Sequence, residues 1–162
     1  MSGLNVVDIG TPPSGWKEWQ VSEVRCHNFA NLSTERGEYE ASPEFLSLGH
    51  QWKLKIFPGG KEESGEGYVA MRLGNWSDKS IKVEYGISVK DAVGKEVHHE
   101  PITREFAAFG SSGNAKGITN FAKRSKVMKS LVNGTLVIEV RMRLVDTNKS
   151  TPPFIPQNPI NK

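Results

Sequence analysis

Few residues of this chain have both the type and the spacing that catalysis requires. Cys26 and His27 are adjacent, and adjacency alone does not make a nucleophile and its base. His98 and His99 are also adjacent, so on a strand their side chains would point to opposite faces and could not hold one metal ion together. The sequence therefore predicts no hydrolase, transferase or redox activity, and no metal site.

Motifs that bind phosphate groups or cofactors are missing from the sequence as well. It contains no P-loop, no H-E-x-x-H and no G-x-S-x-G. Ser111-Ser112-Gly113 lies in a glycine-rich stretch but lacks a strand-to-helix context and a Walker lysine. Basic residues gather at 123–126 and at Lys129 without interleaved aromatic residues, which is typical of a solvated face. We therefore expect no cofactor and no nucleic-acid partner.

The composition indicates one globular, soluble domain. Of 162 residues, 36% are hydrophobic and 24% are charged, and the net charge is +3. Cys26 is the single cysteine, which excludes an internal disulfide, and residues 1–14 lack the apolar run of a secretory signal. No segment approaches the roughly 18–20 apolar residues of a transmembrane helix. These features predict an intracellular protein, in the cytoplasm or the nucleus, without a membrane partner.

The elements that would position a binding site are β-strands. Residues 51–56 alternate between polar and apolar side chains, which places Trp52, Leu54 and Ile56 on one face of a half-buried strand. Pro58-Gly59-Gly60 ends this central strand, because proline lacks an N–H for the ladder and glycine permits a tight reversal.

Similar patterns recur along the chain. Pro101 interrupts one of them and indicates an edge or bulged strand, and Asn133-Gly134 is a strong hairpin-turn signal. No long helix is indicated, only a short helical or irregular piece at 123–130. The other strand patterns cover residues 16–25, 68–73, 81–89, 96–106 and 135–145.

Together these patterns predict an all-β fold, an antiparallel β-sandwich of about seven to eight strands. The predicted domain covers residues 16–146. Residues 1–15 are predicted to form an N-terminal tail, and residues 147–162 a proline-rich C-terminal tail or linker.

Several motifs, in this order, resemble those of the meprin and TRAF homology (MATH) domain, a β-sandwich that binds peptides. The most specific is the central strand from Trp52 to Gly60, which is similar to W-x-L-x-[IV]-[FY]-P-x-G. The others are Asn28-Phe29, Ser42-Pro43-Glu44-Phe45, the strand 68–73, the hairpin 91–95, Gly117 with Phe121, and the final strand after Asn133-Gly134.

The resemblance implies where a peptide would bind. In MATH domains an extended peptide pairs with the backbone of one open strand, which here corresponds to Lys116-Gly117-Ile118. Side chains of neighbouring strands and of one loop form the pockets beside it; the matching positions here are Lys55, Phe57, Arg72, Tyr85, Ser111 and Ser112. Because Lys116, Ile118 and Arg72 stand where relatives usually carry aromatic residues, we expect a more cationic groove and a peptide with acidic or phosphorylated residues.

The resemblance also implies a function. MATH domains recruit short peptide motifs of other proteins, as in substrate adaptors of cullin-type ubiquitin ligases, where a BTB domain often follows. These residues contain no BTB sequence, so contact with ligase components would need a domain outside this chain. Heptads are missing before residue 16, and we expect a monomer.

A second interpretation is a β-sandwich that binds carbohydrate or another small ligand. Such a site needs exposed aromatic platforms flanked by carboxylates and amides. The candidates are Trp16, Trp19 and Trp76, and Trp19 is better suited to the core.

Overall fold

The computed structural model of the chain describes residues 7, 9–10 and 19–145. The predicted C-terminal tail at 147–162 lies outside them, as does most of the predicted N-terminal tail at 1–15. The domain boundaries at 16 and 146 therefore stay predictions.

The described residues form ten strands, one short α-helix and a 3₁₀ helix at Phe29–Asn31. The helix α1 spans Arg124–Met128. The strands are β1 Gln20–Cys26, β2 Glu40–Ala41, β3 Phe45–Ser47, β4 His50–Phe57, β5 Tyr68–Asn75, β6 Ile81–Lys90, β7 Glu96–His98, β8 Ile102–Phe106, β9 Ala115–Lys123 and β10 Leu136–Leu144.

Two antiparallel sheets pack face to face, which confirms the predicted sandwich. The first sheet has the order β1-β10-β6-β7, and β8 also pairs with β6. The second has the order β2-β4-β5-β9, and β3 also pairs with β4. Pro101 separates β7 from β8, and both lie at the edge of the first sheet beside β6, as the proline predicted.

The core lies between the sheets because every long strand turns alternate apolar side chains inward. Trp52, Leu54 and Ile56 of β4 are buried, as the period of two predicted. Alternate residues of β6 and β10 supply the facing layer from the other sheet, namely Val83, Tyr85, Ile87, Val89, Leu136, Ile138, Val140 and Met142. Phe106 joins the layers, with its ring edge-on to Trp52 at a centroid distance of 5.1 Å.

The turn that opens β10 has the geometry that its sequence predicts. Asn133 and Gly134 have φ values of 52° and 82°, so both lie in the left-handed region that a two-residue hairpin turn of this hand requires. A bridge between Val132 and Thr135 closes the turn.

Candidate functional site

The open strand of the second sheet is β9, which pairs with β5 on one side and with no other strand among the described residues. Its register places Gly117 opposite Arg72, and Lys116 opposite Leu73. A register shift between Val69 and Met71 bends the pairing further along. The far side of β9 is therefore open to an added strand along 115–118, whereas the Thr119 carbonyl already accepts a hydrogen bond from the Ser64 hydroxyl at 2.6 Å.

The register also decides which side chains share the outer face of the second sheet. Lys55 of β4 pairs with Arg72 of β5, which pairs with Gly117 of β9. These positions form one row that points away from the core. A β-carbon at Gly117 would lie 3.5 Å from the carbonyl oxygen of Met71 and 4.0 Å from Cγ of Arg72. The row therefore runs from two long cationic side chains to a glycine at the edge, and Nζ of Lys61 lies 3.7 Å from the place where the β-carbon of Gly117 would be.

A cavity of about 440 Å³ lies on this outer face, beneath the loop that leads into β9. We call it the cationic cavity. It brings together four residues predicted as peptide contacts, namely Lys55, Arg72, Ser111 and Ser112. It also contains side chains that the sequence did not single out, among them Lys53, Trp76, Phe109 and Asn114.

The charge of the cationic cavity is one-sided. Lys53, Lys55 and Arg72 line it, and no carboxylate is among its described lining residues. The Lys53 Nζ lies 4.9 Å from the centroid of the Trp76 ring, and the Lys55 Nζ lies 4.4 Å from that of Tyr39. Both ammonium groups lie over aromatic faces. Neither forms an ion pair with a residue that the structure describes.

Arg72 is half-buried at the centre of this face. Its guanidinium makes no hydrogen bond, ion pair or ring contact with any residue that the structure describes. A guanidinium presents a planar fork of donors that matches a carboxylate or a phosphate. The arrangement can therefore bind an anionic group that arrives from outside.

The loop over the cavity is fixed by the buried side chain of Asn75. The Asn75 side chain donates to the carbonyl oxygens of Lys79 (2.8 Å) and Ala107 (3.0 Å). Its backbone N–H donates to the carbonyl of Asn114 at 2.8 Å, and the Asn114 side chain donates back at 3.2 Å. Asn75 thus ties both ends of the loop 107–114 to β5 and positions the serines.

Three of the predicted contact residues are buried, so in this structure their side chains are not accessible to a peptide. Tyr85 lies on β6 of the other sheet and is 2% exposed, with its ring against Phe106 inside the core. Ile118 is 7% exposed, because its strand partner Met71 faces inward. Phe57 does point outward but is 6% exposed, because the ring of Tyr39 covers it at a centroid distance of 5.3 Å.

The remaining two predicted residues lie on the open strand itself. Gly117 is on the outer face and at the edge, as its proposed role requires. Lys116 points to the opposite face, since its partner Leu73 is buried. Its Nζ lies 3.8 Å from the place where a β-carbon of Gly113 would be, so it contacts the loop and does not line the cationic cavity.

The tryptophans do not form a carbohydrate platform in the described residues, and Trp16 lies outside them. Trp19 is not in the core, contrary to expectation: the guanidinium groups of Arg141 and Arg143 lie 5.5 Å and 4.4 Å from its ring on the first sheet. Trp76 lies on the second sheet, against Phe109. Trp19 and Trp76 are therefore too far apart to form one aromatic platform, which is the feature that the carbohydrate interpretation needs.

A second cleft of about 410 Å³ opens between β1 and the short strands β2 and β3, and Cys26 lines it. Burial raises the pKa of the Cys26 thiol, and the negative charge of Glu40 adds to the effect. A raised pKa means less thiolate at neutral pH, and the thiolate is the nucleophile. The cleft therefore does not activate its cysteine.

This shift gives a testable pH dependence. We expect iodoacetamide to alkylate Cys26 more slowly in the folded protein than in urea at pH 7.5, and the folded rate to keep rising at a pH where the unfolded rate has levelled off. Mass spectrometry of timed samples measures both profiles. Steric protection alone would slow the reaction without moving the inflection, so identical inflections would contradict the raised pKa.

The described residues contain no group of three or more histidine, cysteine or acidic side chains that could hold a metal ion. No helix in the described part of the chain has the length and apolar character needed to cross a membrane. The predictions of no metal and no cofactor stay predictions.

Comparisons with known proteins bear on the family and on the fold. The family model of the MATH domain matches residues 23–142. The fold is similar to that of TRAF5 from Notothenia coriiceps, with a TM-score of 0.56 and 14% sequence identity over 78% of this chain and 74% of that chain. Curated protein sequences give no match. The structural likeness, at this identity, shows the shared sandwich fold.

Proposed function

This chain belongs to the MATH domain family, whose members are protein-interaction modules, and from that premise we propose that it binds short extended peptides along β9. The peptide adds as a further strand to the second sheet, and main-chain hydrogen bonds supply much of the affinity. Side chains at alternate positions of the peptide lie over the outer face, beside Gly117 and Arg72.

The observation that supports this proposal best is the position of the open strand directly beside the cationic cavity. An edge strand alone offers unpaired backbone groups to any partner. Here the row from Gly117 to Arg72 and Lys55 gives the added strand an adjoining recess for side chains. An open edge supplies general affinity, and the recess supplies selectivity.

The charge of the recess favours one class of peptide. Lys53, Lys55 and Arg72 carry no counter-ion from the described residues, and the hydroxyls of Ser111 and Ser112 lie on the same cavity. Carboxylate and phosphate groups accept charge-assisted hydrogen bonds from such donors. We therefore propose peptides with acidic or phosphorylated residues as the partners.

We further propose that the chain is the substrate-recognition part of a cullin-type ubiquitin-ligase adaptor that acts inside the cell. Its support is the family and the single cysteine, which suits a reducing compartment. Proximity labelling with the full gene product tests this role. Recovery of ligase components would support it, and labelling without them would contradict it while leaving peptide binding standing.

Gly117→Val is expected to weaken peptide binding by about tenfold or more, since the new side chain fills the space beside Arg72 that a peptide side chain needs. The fold should persist, because the added β-carbon meets only ordinary contacts of 3.5 Å or longer. A peptide array on the wild-type domain selects the ligand, and fluorescence anisotropy then measures its affinity for the variant.

Gly86→Val is the matched control for this substitution. Gly86 is also in mid-strand, and its β-carbon would meet its nearest atom at the same 3.5 Å, but it lies on the first sheet. Because Gly86 is buried and Gly117 is exposed, circular dichroism first checks that Gly86→Val is folded. We expect Gly86→Val to bind the peptide as the wild type does. If the two variants bind equally well, the peptide does not use β9.

A further inference from the structure

A second cationic cavity lies at the other end of β9, away from the loop 107–114. It measures about 650 Å³ and opens between α1 and the turn that joins β6 to β7. We call it the lysine cavity. Four of its lining residues are lysines and two are serines: Lys95, Lys123, Lys126, Lys129, Ser125 and Ser130. The turn contributes Lys95, and the end of β9 with α1 contributes the others.

These lysines lack counter-ions. Lys95, Lys126 and Lys129 form no ion pair or hydrogen bond through their side chains with any residue that the structure describes. Elsewhere on the surface Lys90 pairs with Glu139 at 2.8 Å. Several ammonium groups around one cavity repel one another, and an anion that contacts them together relieves that repulsion.

Two carboxylates, Asp91 and Glu96, also line the lysine cavity. Oδ1 of Asp91 accepts hydrogen bonds from the backbone N–H groups of Val93 (3.0 Å) and Lys95 (2.8 Å), which closes the turn. Glu96 acts on Lys90, whose pKa is raised chiefly by its hydrogen bond to Glu139 and to a smaller extent by Glu96. Neither carboxylate forms an ion pair with a lysine of the cavity.

The backbone that carries the lysines is held firmly. Val127 of α1 is fully buried, and the N–H groups of Lys129 and Ser130 donate to the carbonyls of Lys126 and Val127 at 3.2 Å and 2.9 Å. Arg124 points away from the lysine cavity, to the carbonyls of Pro58 and Ala30. The basic cluster of the sequence is thus divided into one structural arginine and a set of lysines around a cavity.

We propose that the lysine cavity binds a small polyphosphate of the inositol phosphate class, either free or as the headgroup of a phosphoinositide lipid. Its volume lies within the range of about 300–1,000 Å³ that is usual for small-ligand sites. Several phosphates on one ring carry enough negative charge and acceptor oxygens to contact several of these ammonium groups together. Its described lining includes no aromatic ring on which a nucleic-acid base could stack.

The test uses inositol hexakisphosphate and isothermal titration calorimetry at about 150 mM salt, where exposed charges are screened beyond about 8 Å. We expect the wild type to bind, and Lys126→Gln/Lys129→Gln to bind about tenfold more weakly or not at all. The matched control is Lys79→Gln/Lys82→Gln, which removes the same charge from exposed positions outside the cavity. It should bind as the wild type does.

Vesicles of phosphatidylcholine with and without phosphatidylinositol bisphosphate distinguish a free inositol phosphate from the headgroup of a phosphoinositide lipid. Binding of inositol hexakisphosphate without vesicle binding supports a free polyphosphate, and binding of the bisphosphate vesicles supports a lipid headgroup. No binding to either probe overturns the proposal, as does equal binding by the two double variants. Far-UV circular dichroism checks that all variants are folded, and their affinity for the peptide selected on β9 should not change.

Discussion

Replacing Trp52 with alanine is expected to lower the free energy of unfolding by about 3–5 kcal/mol, the usual cost of removing a fully buried tryptophan. Trp52 has no exposed surface and lies in the layer where β4 faces the first sheet. Its ring meets the ring of Phe106 edge-on, and its Nε1–H donates to the Ser47 carbonyl at 2.9 Å. Alanine would leave a cavity and a buried carbonyl without its donor.

The matched control for Trp52 is Trp76→Ala, which removes the same side chain from the outer face of the same sheet. Trp76 is half-buried, against Phe109 and beneath Lys53, so its loss should cost much less. Urea unfolding followed by circular dichroism measures both variants. If Trp52→Ala costs no more than Trp76→Ala, then Trp52 is not a core residue and the inward phase of β4 is wrong.

The long strands could be predicted from the sequence because burial of one sheet face imposes a period of two. The central strand, β6 and β10 each show this alternation, and the structure buries the predicted side of β4. Short strands leave no such signal. Glu40–Ala41 and Phe45–Ser47 are strands only because β4 offers them an edge, which explains why ten strands occur where about seven to eight were predicted.

The site could be predicted only in part. Lys55 and Arg72 alternate with buried residues, so the sequence alone indicates that they face outward together. Phe57 has the same phase, yet Tyr39 covers it, and Tyr39 belongs to a polar segment that the sequence presents as an exposed loop. Coverage by a distant segment depends on tertiary contacts, which periodicity does not reveal.

Two differences from the predicted site have related causes: Tyr85 is buried, and the cationic cavity contains Trp76 and Phe109, which were not predicted as contacts. Tyr85 belongs to the cleanest alternating strand of the chain, and that alternation already placed it on the same face as Val83 and Ile87, which proves to be the buried one. The family resemblance implied a groove position for Tyr85, whereas the alternation indicates a core position. Trp76 and Phe109 lie in turn and loop sequence, where no period exists, and only the fixed position of the loop through Asn75 brings them to the cavity.

The largest effect on binding is expected from Arg72→Glu, tested on a selected peptide that carries an acidic or phosphorylated residue. We expect a loss of about 2–5 kcal/mol, because the substitution removes an unpaired guanidinium and puts a like charge against the ligand. Replacing the acidic residue of the peptide with glutamine, or the phosphorylated residue with its unmodified form, should abolish most of the difference between wild type and variant. Anisotropy titrations of both proteins with both peptides give the coupling energy directly.

Arg104→Glu separates this local contact from a change in overall charge. Arg104 is exposed on β8 of the first sheet, so the substitution alters the net charge by the same amount at a distance from the cationic cavity. It should reduce affinity only slightly, and high salt should remove that reduction because exposed charges are screened.

If Arg72→Glu and Arg104→Glu weaken binding of the acidic peptide equally, the effect is long-range and Arg72 does not contact the ligand. If Arg72→Glu binds as the wild type does while Gly117→Val does not, the peptide uses the edge of β9 without reading charge in the cationic cavity.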